Sequence, residues 1–196
     1  SPQGHLGILE MFVDKVFGAG SVTAKQAVTA VTDGGSTGNK TVDLAIRQLQ
    51  DEGYEVEILS IEDAYFSQDI AMEKMRELLP ILGPQIEIVI SNNDAMAIGA
   101  IDALKEEQYF EDTDNDGVIN RDTEKWLPVI GIDGLPIAIE LIQDGYLYAT
   151  VLNDSELMAE AINELTNILV TGADLSSLSF DLEDNKYIWI DYKKIY

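Results

Sequence analysis

Helix-like and strand-like segments alternate along this chain and predict an α/β fold: a doubly wound, mostly parallel five-stranded sheet with helices on both faces, then a helix and strand outside that layer. Two observations carry the prediction. Short runs rich in Val and Ile recur between helix-spaced segments, as strands buried on both faces of a parallel sheet require. Three of these runs also end alike: EIVISNND at Asn93 and Asp94, LPVIGID at Asp133, and YATVLND at Asn153 and Asp154. The carboxyl ends of parallel strands face the ligand crevice, so amides and carboxylates there point to a polar guest.

The elements follow in order. Residues 7–17 (GILEMFVDKVF) place Ile8, Met11, Phe12 and Val16 at helical spacing, and KQAVTAVT at 25–32 reads as the first strand. A loop at 33–40 leads into a helix, VDLAIRQLQDEG, closed by Gly53 as its C-cap. YEVEILSIED is the second strand, DIAMEKMRELL at 69–79 a helix, and residues 87–92 the third strand. The helix DAMAIGAIDALKEE is capped by Asn93 or Asp94, the fourth strand is LPVIGID, LPIAIELIQDG is helical, and YLYATVL is the fifth strand. Met72, Met75, Met96 and Met158 sit at helical spacing with aliphatics and read as core, and Trp126 and Trp189 as packing residues.

From Asp154 the alternation breaks. The long helix SELMAEAINELTNILVTG carries Leu157, Met158, Ile162, Leu165 and Leu169 on one stripe, followed by the loop ADLSSLS and the strand-like NKYIWIDYKKIY. Such a helix either adds a layer to the same core or belongs to a second lobe. Left without a partner it would expose its stripe and favour self-association.

Composition narrows the function. The 196 residues are 46% hydrophobic, and no apolar stretch approaches the roughly 20 residues that cross a bilayer. The opening SPQGHLGILEMF has neither the basic region nor the apolar core of a secretion signal. A net charge of -24 repels phosphate backbones, so nucleic acid is excluded as a partner while calcium or a neutral solute is not. Absence of cysteine excludes disulfides and thiolate chemistry. His5 is the single imidazole, and no catalytic dyad can be assembled.

Two loops carry motifs. Asp112, Asp114, Asp116, Gly117, Val118 and Asn120 follow the spacing of a calcium loop: oxygen ligands at one, three and five, Gly at six, a carbonyl at seven and a polar side chain at nine. Position twelve is Thr123, and Glu124 falls one residue out of register, so the closing carboxylate must come from elsewhere. An acidic solvated loop is the alternative. GGSTGNKT, at 34–41, misses the phosphate-binding pattern GxxxxGK[ST] by Asn39, which replaces the Gly that lets the backbone curl around phosphates. Asp133 could then pose as a magnesium ligand, but the net charge makes a triphosphate a poor guest.

SNNDAMAIGAIDALKE, VIGIDGLPIAIELIQDGYLYATVLND and the helix after them resemble the C-terminal half of the periplasmic sugar-binding proteins, most of all their galactose/glucose binders. The resemblance covers nearly the whole chain. It implies two α/β lobes that close on a monosaccharide, with residues 1–152 as the C-terminal lobe, 153–186 as hinge and helix of the N-terminal lobe, and 187–196 as the returning hinge strand. Most of the N-terminal lobe would lie outside this sequence. Asn93, Asp133 and Asn153 match the family's sugar ligands, and Phe66, beside Tyr65, takes the place of its stacking Trp. Taken singly, each Asn or Asp could be a helix cap or turn residue, but three at equivalent strand ends favour a site. The family's His, Asp and Arg of the first loop fall on Gly35, Thr37 and Thr41, with Asn39, Lys40 and Asp43 as alternatives, so the charged clamp is absent and the sugar need not be the usual one.

The resemblance also supplies the missing calcium ligand. The family borrows a Glu from the start of the third strand, matching Glu87, so the expected structural Ca2+ site is Asp112, Asp114, Asp116, the Val118 carbonyl, Asn120 and Glu87. The implied function is an extracytoplasmic solute-binding component that delivers a monosaccharide to the membrane permease of an ABC-type importer and does no chemistry. Alternatives are the effector domain of a LacI-type regulator and a P-loop-like nucleotide enzyme.

Overall fold

The computed structural model describes residues 25–32, 51, 53, 55–184 and 186–196. The helix expected at 7–17 and the loop with Asn39 and Thr41 lie outside the described residues, as does the phosphate-loop-like run.

Four strands form a parallel sheet: β1 (Lys25–Thr32), β2 (Glu55–Asp63), β3 (Ile88–Ser91) and β4 (Val129–Ile130), in the order β2-β1-β3-β4. The fifth, β5 (Thr150–Leu152), runs parallel beside β4 through the bridges Ile130 to Ala149 and Asp133 to Leu152. The regular part of the fourth strand is shorter than LPVIGID, but its pairing continues, with Gly131 N and Asp133 N donating to Ala149 O and Val151 O, up to Asp133, which turns the chain at φ 128. β3 and β4 are buried throughout, as Val-rich strands covered on both faces must be.

Among the described residues the α-helices are α1 (Gln68–Leu82), α2 (Asp94–Glu106), α3 (Pro136–Gln143) and α4 (Ser155–Thr171). α1 runs three residues past its expected end, through Pro80. α1 and α2 pack closely because α2 carries Gly99, where a Cβ would stand 2.1 Å from the Gln68 carbonyl oxygen. Met75 and Met96 are fully buried beside Val89, Ile101, Leu104, Val129 and Leu147, forming one core between helices and sheet. Their burial is the dominant stabilising term, at about 1.5–3 kcal/mol for each large apolar side chain.

Beyond β5 the chain changes character. Of the stripe on α4, Ile162 and Leu169 are exposed, and Ala161 and Ile168 are the helix's buried residues. The single strand expected at 185–196 divides into β7 (Tyr187–Ile188) and β8 (Lys193–Ile195), because each pairs elsewhere: β7 with β6 (Leu182–Glu183), and β8 antiparallel with β5. A cleft of about 360 Å³ opens between α4 and these strands, lined by Met158, Ala161, Leu165, Leu182, Ile188 and Ile190. Trp189 is not a packing residue: it is 57% exposed beside Tyr187, on a segment outside the core. Trp126 does pack, stacked 5.8 Å from Tyr148.

Candidate functional site

At the end of β3 the backbone is extended at Asn93 (φ -151, ψ 165), whose Oδ1 accepts from Met96 N at 2.9 Å and caps α2. That capping role coexists with a ligand role, since it engages the oxygen and leaves Nδ2 able to donate. The next residue, Asp94, is fully buried. Its Oδ1 accepts from Thr150 Oγ1 at 2.6 Å and its Oδ2 from Leu135 N at 2.8 Å, while Gly134 N donates to Thr150 Oγ1 at 3.2 Å. One carboxylate thus ties the start of α2 to the turn after β4 and to β5. Burial raises its pKa above the ordinary carboxylate range, opposed by the hydrogen bonds from Thr150 and Leu135 and aided by the charge of Asp133.

Asp133 is half-buried in that turn, and its carbonyl oxygen accepts from Asn153 N at 3.1 Å. Partial burial raises its pKa, while the Asp94 N–H, at the positive end of α2, draws it down. Asn153 is exposed just beyond β5. Asp154, its neighbour, serves as helix cap: Oδ1 accepts from Leu157 N at 2.9 Å and Oδ2 from Lys193 Nζ at 2.7 Å. The structure therefore joins Asp133 and Asn153 through the backbone and ties both to the start of α2. Phe66 stands at the same carboxyl edge, after β2, where consecutive left-handed residues Tyr65 (φ 50) and Phe66 (φ 59) leave both rings more than half exposed. Asn39 and Thr41 lie outside the described residues.

Thr150 escaped the reading from sequence. Asp94 was legible as a polar residue at a strand end and as an alternative cap, but no periodicity reveals that a carboxylate next to a cap turns inward.

The acidic loop enters the fourth strand from the opposite edge. Asp112, Asp114 and Asp116 bring carboxylate oxygens within 4.8 Å of one another. Asp112 accepts from Asp116 N and Gly117 N, and Asp116 from Val118 N. Gly117 at φ 90 makes the turn that position six demands. At Asp114 the Asp116 N–H lowers the pKa, but repulsion from the Asp116 and Glu124 carboxylates and desolvation outweigh it and raise it overall. Glu124 is not idle: it accepts from Asn120 N at 2.8 Å and from Thr113 N and Oγ1, holding the loop closed. Glu87, half-buried just before β3, is outside the trio of clustered carboxylates. Arg121 anchors the loop, donating to the carbonyls of Gly145 and Leu147 with its guanidinium 5.3 Å from the rings of both Trp126 and Tyr148.

Residues 8–174 match the model of a family described as the periplasmic binding protein domain. The chain is 32% identical over 152 residues to the D-galactose/methyl-galactoside binding periplasmic protein MglB of Haemophilus influenzae, covering 74% of this chain and 41% of that one. It is 26% identical over 169 residues to the xylitol-binding protein of Mycolicibacterium smegmatis, covering 86% of this chain and 43% of the relative. The chain thus spans about two-fifths of the length of these curated relatives. Among solved structures, an ABC transporter solute binding protein from Bacillus halodurans with bound myo-inositol superposes with TM-score 0.69 at 24% identity, over 100% of this chain and 57% of that one. A glucose-galactose binding protein from Geobacillus stearothermophilus does so with TM-score 0.64 at 20% identity, over 99% and 59%. At such identities the superpositions speak for the fold. With its sheet order, its polar strand ends and a family match over most of its length, this chain belongs to the periplasmic binding protein family.

Proposed function

We propose that the carboxyl ends of β3, β4 and β5 form one wall of a cleft that holds a galactose- or glucose-like monosaccharide. The protein would work outside the cytoplasm, handing its sugar to the membrane permease of an ABC-type importer and carrying out no reaction. The observation that carries this reading is Asp133, an acidic residue whose backbone is held at a strand end against Val151 and Asn153. A carboxylate and amides placed so can accept from and donate to adjacent hydroxyls of a sugar ring, while the exposed ring of Phe66 suits the apolar face of a pyranose. Names of relatives that bind D-galactose and xylitol support a polyhydroxylated guest. In this reading residues 1–152 are one lobe, 153–186 the hinge and a helix of the facing lobe, and 187–196 the returning strand. The apolar cleft beside α4 supports that division by offering a surface for further packing.

Calcium in the 112–120 loop belongs to the same proposal. Asp112, Asp114, Asp116, the Val118 carbonyl and Asn120 would supply oxygens, with Glu87 completing the set. What supports it is the clustering of the three carboxylates and their mutual repulsion, which a divalent cation relieves.

Calorimetric titration with D-galactose, in calcium, tests the cleft. Asp133→Ala is expected to weaken binding by about 10- to 100-fold, the worth of a hydrogen bond to a charged group. An Asp133→Ala variant that binds as tightly as the parent would overturn the assignment.

A further inference from the structure

We propose that Asp94 is a positioning residue for the ligand-facing Asp133, gripping the backbone just beyond it and the neighbouring strand β5. The inference deepens the sugar-cleft reading and rests on it for its functional meaning.

Asp94 is at first sight a poor choice for its place. It is fully buried, and its carboxylate accepts from neutral donors, the Thr150 O–H and the Leu135 N–H, while Gly134 N–H donates to the same Thr150 hydroxyl. Burying a carboxylate without a cation is costly, and its partners offset that cost only in part. Helix capping does not explain it, because Asn93 already caps α2. What remains is the connection it makes. Its two oxygens reach two different elements, the turn after β4 and the strand β5.

The turn needs such a hold. Asp133 at φ 128 occupies backbone space that residues with a side chain rarely adopt, and such conformations persist where surrounding contacts over-determine them. On the strand side, Asp133 N donates to Val151 O at 2.8 Å and its carbonyl accepts from Asn153 N at 3.1 Å. On the helix side, the hold is Asp94. Room for its carboxylate is built in: a Cβ on Gly131 would stand 2.2 Å from Asp94 Oδ1. A ligand-binding carboxylate must keep its place to within a fraction of an ångström, and supporting hydrogen bonds supply that order. Since no solvent reaches Asp94, it does not itself touch the sugar.

The test uses the full chain, two readouts, and the variants Asp94→Ala, Asp94→Asn, Thr150→Val and Asp133→Ala. Amide hydrogen exchange needs no ligand. In Asp94→Ala, exchange at Gly134 and Leu135 should quicken by about tenfold or more while Val89 and Ile101 keep the parent's rates. Asn at 94 retains an acceptor for Leu135 N–H and should restore most of the protection. If Asp94→Ala fails to fold, Thr150→Val, which removes the hydroxyl shared with Gly134, should quicken Gly134 alone. The second readout is affinity for D-galactose. Asp94→Ala should lose about tenfold or more, Asp94→Asn only a few-fold, and Asp94→Ala should add nothing further once Asp133 is already Ala. Parent-like exchange at Gly134 and Leu135 in Asp94→Ala, or at Gly134 in Thr150→Val, overturns the inference. So do losses at Asp94 and Asp133 that multiply independently. Failure of Asp133→Ala to alter D-galactose binding, or no binding by the parent, sinks the sugar reading instead, and exchange alone then decides whether Asp94 holds the turn.

Discussion

Asp133 shows how a single residue can be costly locally and useful in place. Its φ of 128 is a conformation that costs of order 1–3 kcal/mol, recovered from the hydrogen bonds around it. Two glycines make the arrangement possible. Gly134, at φ 75, follows it where a Cβ would collide with Leu152, and Gly131 precedes it where a Cβ would collide with the Asp94 carboxylate. Gly131→Ala is therefore expected to destabilise the fold by about 1–3 kcal/mol, the usual cost of overpacking a core. It should weaken sugar binding as well, by displacing Asp94. Urea denaturation of the variant checks the first and D-galactose titration the second. A fold as stable as the parent's would mean that the carboxylate can move aside at little cost.

Among the elements, α4 depends on its first turn. It leaves β5 at Asp154, which accepts from Leu157 N and pairs with Lys193 of β8, so one side chain both starts the helix and clasps it to the last strand. The Lys193 ammonium and then the Leu157 N–H hold the Asp154 carboxyl below its ordinary pKa. The sign follows directly. A depressed carboxyl contributes stability above its unfolded pKa, and that contribution is lost as pH falls through the lower folded value. Asp154→Ala should lower the Tm by about 2–4 °C at neutral pH, a typical cap loss in a chain of this size. The gap between variant and parent should close in acid. Melting curves over a pH series check this, and a gap that stays constant would exclude Asp154 ionisation as its source.

For the molecule as a whole, the net charge of -24 dominates the electrostatics. Repulsion among so many carboxylates destabilises the compact state, and the loop at 112–120 concentrates it. A cation bound there stabilises the fold by mass action, by about 2.7 kcal/mol at a hundredfold excess over Kd. We expect calcium to raise the Tm and EGTA to reverse it, and Asp112→Ala to abolish the response. A transition indifferent to both would leave the loop as a solvated acidic turn closed by Glu124. Magnesium serves as the control, because its tighter octahedral demand suits a flexible oxygen loop poorly.

Among the described residues, the strand and helix order, the buried Val-rich runs and the three polar strand ends were legible in the sequence, because burial on both faces and helical spacing are properties of neighbouring residues. So was the clustering of Asp112, Asp114 and Asp116, which follows from their purely local spacing. The tight turn after β4 was not, since φ 128 at Asp133 is imposed by partners on β5. Nor was the exposure of Trp189, which follows from β7 and β8 choosing different partner strands. The place of Asp94 was hidden for the same reason. Its partners stand 41 and 56 positions away along the chain, and only folding brings a helix start, a turn and a strand to one carboxylate.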